Sequence, residues 1–196
     1  MRAAERNNYK RGWFRRRARR LSQRRFIFVD ESSVNTAMTR RYGRAPRGER
    51  AYDSAPRNYG AHTSVIGAMG LRGLLAALTV EGAVDTDCFN AYAERVLGPR
   101  LRRGDVVVLD NLTAHRASRI EEVAAARGAQ VLWLAPYSPD FNPIEQCWSK
   151  IKTYLRRAKA RTQEQLDKAL ATAIGLITKA DIRGWFRHCG YSLARE

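Results

Sequence analysis

Three acidic residues stand where the chain could do metal-assisted chemistry. Asp30 closes the apolar run Phe26-Ile27-Phe28-Val29, and Asp110 closes Val106-Val107-Val108-Leu109. Both runs read as buried strands, so each acid is expected at the C-terminal end of a strand, where open α/β sheets build their sites. Glu145 falls in the first turn of a helix, with Asn142 as N-cap and Pro143 at the first helical position. If the two strands are neighbours, the three carboxylates face one cleft. They would repel one another unless a cation lay among them, and hard oxygen donors select Mg²⁺ or Mn²⁺. Two such ions about 4 Å apart can activate an attacking oxygen and stabilise a leaving one at a phosphodiester.

Taken singly, each acid also has a plain structural reading. Asp30 could end a strand in a turn, and Asp110-Asn111 could begin one. Asn142-x-x-Glu145 has the form of a capping box, which would engage Glu145 without any chemistry. Asp140 competes with Glu145 as third ligand. Glu31 points to the opposite side of its strand from Asp30 by the period of two, which makes it the weaker ligand.

The charge indicates what such acids would act on. The chain has 36 Lys+Arg against 19 Asp+Glu, a formal net charge of +17. That excess attracts polyanions, and nucleic acid gains most from it because each phosphate contact releases a counterion. Arg40, Arg41, Arg44, Arg47 and Arg50 fill the segment after Asp30, with Tyr42 and Tyr52 among them. Basic residues with interleaved aromatics suit a DNA-contacting loop. Lys150, Lys152, Arg156 and Arg157 form a second basic track, in which Lys152 and Arg156 share a helix side with Glu145. Such a track can equally be an ordinary solvated face.

Several classes are excluded. No apolar run approaches the roughly 20 residues that span a bilayer, and no signal-peptide core follows the basic N-terminus. Cys88, Cys147 and Cys189 are too scattered for a disulfide framework or a zinc ribbon, which points to a reducing, cytosolic compartment. No P-loop or dinucleotide fingerprint is present.

The elements that must position the acids follow from periodicity. Residues 1–24 form an Arg-dense arm, either a short basic helix or a segment that orders on DNA. From residue 25 the pattern predicts strand 26–29, a hairpin of strands 62–69 and 74–80 turning at Gly70-Leu71-Arg72-Gly73, a helix over 87–97, strand 106–109, a helix over 118–127 and strand 131–134. Helices near 143–155, 162–177 and 182–188 complete the chain. The order predicts an α/β fold, a mixed sheet with helices on its faces.

Taken together the motifs resemble a known family. VVVLDNLTAHR and LWLAPYSPDFNPIEQCWSKIK resemble the second and third motifs of mariner-like DDE transposases, most closely their bacterial insertion-sequence branch. FIFVDESSV with YGRAPRGER is similar to that branch's first motif, and WFRHCGY to its usual ending. Residues 111–144 place 34 positions between Asp110 and Glu145, the spacing typical of that superfamily. Ala135 and Phe141 depart from a common Pro and Leu. The resemblance spans residues 25–191 and implies an RNase H-like catalytic domain.

It further implies that Asp30, Asp110 and Glu145 bind two Mg²⁺ or Mn²⁺ ions, with Asn111 and His115 as supports. The implied reaction is cleavage of double-stranded DNA at element ends and strand transfer to a target. The expected setting is a bacterial, nucleoid-associated cytoplasmic protein with no membrane partner. Members carry helix-turn-helix modules ahead of the catalytic domain, and the 29 residues before Asp30 are too few for one. The resemblance thus leads to the expectation of a split or truncated reading frame, with an upstream helix-turn-helix polypeptide and a second copy of the chain as partners. The alternatives are another RNase H-like nuclease and a DNA-binding relic without activity of its own.

Overall fold

The computed structural model describes residues 7–58, 62–112, 115 and 119–193. Five strands form one sheet: β1 Phe26–Val34, β2 Thr63–Gly70, β3 Gly73–Glu81, β4 Val106–Leu109 and β5 Gln130–Trp133. Their order is β3-β2-β1-β4-β5. The β1–β2 and β2–β3 pairs are antiparallel, and β1–β4 and β4–β5 are parallel. The mixed sheet expected from the sequence is therefore present, with the two acid-bearing strands side by side at its centre.

Among the described residues six α-helices flank the sheet: α1 Asn8–Arg19, α2 Thr86–Tyr92, α3 Ile120–Ala126, α4 Ile144–Ala158, α5 Gln163–Gly175 and α6 Lys179–His188. Alternation along β1 separates two core layers. Phe26 and Phe28 pack with residues of α1, α4, α5 and α6, whereas Ile27 and Val29 pack with residues of α2 and α3. All four are at most 1% exposed, and full burial of each is worth about 1.5–3 kcal/mol. The centre of the sheet is thus fixed from both sides.

Several boundaries differ from the pattern. The helix expected over 87–97 ends as α at Tyr92 and continues as a π-helical turn over Ala93–Leu97, which keeps both Ala93 and Leu97 buried. At the start of α5 the pair Thr162 and Gln165 forms only half of a capping box. The Thr162 side chain accepts from the Gln165 N–H, but the Gln165 carbonyl oxygen accepts from the Arg161 N–H. A complete box stands at Thr178 and Asp181 instead, and it opens α6 earlier than the apolar pattern indicates.

The basic N-terminal segment contributes a helix to the core. Phe14 is 1% exposed and stacks on Phe141 with ring centroids 5.4 Å apart. The Arg11 guanidinium, itself buried, donates to both oxygens of Asp140 at 2.8 and 2.6 Å and lies over the Phe141 ring. α1 therefore fastens the turn that leads into α4.

Candidate active site

The site opens where β1 outruns β4. The two strands pair only from Phe26 to Phe28, while β1 continues alongside β2 as far as Val34. Asp30 accordingly lies inside its strand and not at its end, which corrects the expectation from the sequence. It stands just past the point where the parallel ladder has stopped. Asp110 directly follows β4, and Glu145 occupies the first turn of α4. All three line one cavity of about 430 Å³, together with Asn111, Tyr137 and Asn142.

Asp30 is held from the α4 side. The Trp148 indole N–H donates to Asp30 Oδ2 at 3.0 Å. Room for that indole comes from Gly67, the cross-strand partner of Asp30, where a Cβ would lie 2.6 Å from a Trp148 ring carbon. Burial, followed by the charges of Glu145 and Asp110, pushes the Asp30 pKa up to about 8 against the partial relief of the Trp148 hydrogen bond. Burial also raises Glu145, with the Lys152 charge lowering it and the Asp110 charge raising it. The carboxylates are thus near enough to oppose one another's ionisation, a repulsion that a cation among them would relieve.

Asp110 is held from the other face of the sheet. Asp110 Oδ1 lies 2.8 Å from His115 Nδ1, and His115 Nε2 lies 2.7 Å from Glu31 Oε1. The imidazole is 1% exposed and packs on Phe89 with centroids 4.4 Å apart. Burial pulls its pKa down, but the hydrogen bonds to Asp110 and Glu31 outweigh this and leave it at about 9. At neutral pH a His115 imidazolium therefore bridges two carboxylates. Glu31 does face away from Asp30, as the strand period requires, yet it reaches the site through His115. Asn111, the other expected support, donates to the Leu134 carbonyl and ties the turn after β4 to the segment after β5.

Two alternatives left open by the sequence concern Asp140 and the Asn142 cap. Asp140 is the bidentate partner of Arg11, so the competing third acid is already engaged. The Asn142 capping box does not form: Pro143 is the N-cap residue and makes no side-chain cap hydrogen bond. Glu145 is consequently not tied back to the helix start. Asn142 is 4% exposed, and its Oδ1 has no hydrogen-bond partner among the described residues.

The donor set fits a hard divalent cation. No three His, Cys, Asp or Glu side chains among the described residues close on a single point as a finished metal cage. Mg²⁺ does not require one, because it commonly keeps several waters and takes one or two carboxylates plus substrate phosphate oxygens.

The basic residues separate into different roles. Arg44, Arg156 and Arg157 line an open groove of about 960 Å³ along with Tyr42 and Tyr52. Arg47 and Arg50 are exposed on the same 35–58 segment. Lys152 sits close enough to Glu145 to lower its pKa. Lys150, by contrast, is 2.6 Å from Asp181 and braces α4 against α6. Sequence reasoning did not find Glu31 as a partner of His115, Gly67, or the polar role of Trp148. Only the alternation that put Glu31 on the far face offered a hint.

No membrane-crossing helix exists among the described residues. A search of curated protein sequences found no match. Among solved structures, the fold is similar to the Mos1 transposase in its paired-end complex with the left transposon end, at TM-score 0.77 and 18% identity over 96% of this chain. It is also similar to the isolated catalytic domain of the Mos1 mariner transposase, at TM-score 0.66 and 15% identity over 96% of this chain and 91% of that one. This chain spans 61% of the transposase in the paired-end complex. The fold is therefore RNase H-like, as in those catalytic domains. A family model described as DDE superfamily endonuclease matches residues 25–167, well over half of the sequence, and with the three acids on one cleft this places the chain in the DDE superfamily of endonucleases.

Proposed function

We propose that this chain is the catalytic domain of a transposase, cutting DNA at the ends of a mobile element and joining the freed strand to a target. The observation that carries the reading is the convergence of Asp30, Asp110 and Glu145 on one cavity, from two adjacent strands and a helix start. Related solved structures include a Mos1 strand transfer complex and paired-end complexes with Mn and with Mg.

Asp30, Asp110 and Glu145 are the residues that would hold two Mg²⁺ or Mn²⁺ ions. Such ions would polarise the scissile phosphate and lower the pKa of the attacking oxygen. The protein's own part is positional and electrostatic. His115 fixes the direction of Asp110, Trp148 fixes that of Asp30, and Asn111 holds the two loops at the rim together. Arg44, Arg156 and Arg157 supply a groove for the DNA backbone, with Arg47, Arg50 and Lys152 adding charge around it. The surplus of positive charge makes binding to phosphate strongly salt-dependent.

The test uses DNA carrying the inverted repeats that flank the gene. With Mg²⁺ or Mn²⁺ the chain should yield nicks at the repeat ends and joined strand-transfer products, and Asp110→Asn should remove both. Hydrolysis of an RNA–DNA hybrid without any joining would replace this reading with a ribonuclease. Full nicking by Asp110→Asn would overturn the metal site itself.

A further inference from the structure

Beside the catalytic cavity lies a second cavity, of about 650 Å³, between α1 and the segment after β5. The two share Asn111, Leu134, Ala135 and Pro136 as walls, so the second begins one residue from Asp110. Its outer wall is formed by Tyr9, Lys10 and Trp13 of α1. Tyr9 and Trp13 are four residues apart and share a helix side, with the Arg17 guanidinium over the Trp13 ring at 5.5 Å. Tyr9 is 78% exposed and Trp13 47%.

Exposed aromatic rings call for an explanation when they cluster. Of the seven large apolar side chains that the described residues leave exposed, Tyr9, Trp13, Leu112 and Tyr137 border these two adjoining cavities. Tyr137 is also one of two non-glycine described residues with positive φ, at 51°. A left-handed backbone at a non-glycine residue carries strain that local structure must hold in place. No acidic residue lies in the first turn of α1, whereas Lys10 lines the groove and Arg17 lies over the Trp13 ring, so the charge beside the aromatics suits an anionic occupant.

We infer that the groove of Tyr9, Lys10 and Trp13 is a subsite for unpaired nucleotides of the DNA strand being processed at the adjacent acids. The inference rests on the reading of the chain as a DNA-cutting domain and deepens it. Drawing a base out of the duplex costs free energy that stacking on an aromatic side chain partly returns. A platform one residue from Asp110 therefore favours DNA whose end is already unpaired. Lys10 and Arg17 supply cations for the phosphates of the splayed strand. Aromatic rings beside Lys10 and Arg17 combine a stacking face with cations, the pairing that suits a strand of bases and phosphates.

The test is binding of the full chain to two DNAs of equal duplex length in Ca²⁺, which is used to hold turnover off. One is blunt, and the other ends in a short single-stranded overhang carrying 2-aminopurine. The expected result is roughly tenfold tighter binding of the overhang DNA, with quenching of the 2-aminopurine emission by stacking. The double variant Tyr9→Ala/Trp13→Ala should lose both the preference and the quenching while holding the blunt duplex within about twofold. Its melting temperature checks the fold, and Trp13→Phe should restore most of the quenching. A wild type without overhang preference would overturn the subsite, as would a double variant that keeps it. Nicking in Mg²⁺ by the same preparation distinguishes this failure from failure of the functional reading: nicking without overhang preference sinks only the subsite.

Discussion

The catalytic cleft and the basic 35–58 segment are both built from charged residues, and they are held in opposite ways. Among the described residues Asp30 has Trp148 as a fixed neighbour in the cleft, and Asp110 has His115, which Glu31 holds in turn. These residues sit in or beside a sheet whose core is closed on both faces. The 35–58 segment has no helix or strand. It is fastened chiefly by Arg161, whose guanidinium donates to the carbonyls of Thr36 and Met38 at 2.8 and 3.2 Å and to Thr39 Oγ1 at 2.7 Å. Charges that must meet at a reacting phosphorus need angular precision, which only packed elements supply. Charges that follow a flexible polyanion need density and reach, which a surface loop supplies.

Damage to the cleft and damage to the loop should therefore give different kinds of defect. The largest effect is expected from Asp110→Asn or Asp30→Asn. Loss of one metal-binding carboxylate should cut nicking roughly 10³-fold, with DNA binding hardly changed. Gel assays for nicking and for binding on the same preparation check this, and a parallel fall in binding would blur the division. Next come Glu31→Gln and His115→Gln, which keep the packing volume but weaken the bridge to Asp110. Partners one step behind a metal ligand typically matter 10–100-fold in metal affinity or activity. The Mg²⁺ concentration for half-maximal nicking should rise in both variants, a readout that a merely structural His115 would leave alone.

The sheet and the three acids were legible because their signals are local: apolar runs ending in Asp, a proline-bounded loop, a spacing of 34. What supports them was not legible because it is set by register and by distance. Glu31 and His115 are 84 positions apart and meet only because β1 and β4 are parallel neighbours. Gly67 matters because antiparallel pairing puts it opposite Asp30, beneath Trp148. Trp148 was readable as core, and its indole N–H toward Asp30 was not. In α1 the arginines masked the one residue, Phe14, that decides where the helix docks. An isolated Asn142-x-x-Glu145 suggested a cap, while the folded chain leaves Glu145 facing the cleft.

The same comparison predicts a pH dependence for the metal-free cleft. Below pH about 4 Asp30 is protonated in both states and contributes no difference. Between about 4 and 8 the unfolded chain has released that proton while the folded chain keeps it, so stability falls as pH rises. His115 adds to the fall. Its raised pKa stabilises the fold fully below its ordinary 6.5, and that contribution is lost as pH passes about 9. With solvent at the cleft mouth screening part of the effect, about 2 kcal/mol should be lost between pH 5 and 8. Urea unfolding at the two pH values measures this. Asp30→Asn should flatten the lower part of the slope, and Mg²⁺ should restore stability at pH 8 more than at pH 5. A metal-free stability that rises over this range would contradict the strained-acid description of the cleft.

On the loop side, Arg161→Ala should release the segment without touching an acid. Three hydrogen bonds to residues 36–39 disappear, so limited proteolysis within 40–58 should accelerate while the melting temperature moves little. DNA binding should weaken roughly tenfold, and the Mg²⁺ dependence of nicking should stay as in the wild type. A shift in Mg²⁺ dependence would show that the loop also shapes the cleft, and the two regions would then have to be treated as one.

The smallest expected effect is the most diagnostic of how the loop works. Arg44 borders the groove with Arg156 and Arg157, so a phosphate contact there is one among several. Arg44→Ala should weaken binding about threefold at moderate salt, uniformly across DNA sequences. The logarithmic salt slope should fall by about 0.9, the value for one phosphate contact on duplex DNA. Lys150→Ala provides the contrast within the same basic track. Its ammonium is engaged by Asp181, so its removal should lower the melting temperature slightly and leave the salt slope unchanged. Equal slopes for Arg44→Ala and the wild type would mean that Arg44 makes no phosphate contact, and the part given to the loop in holding DNA would have to be redrawn.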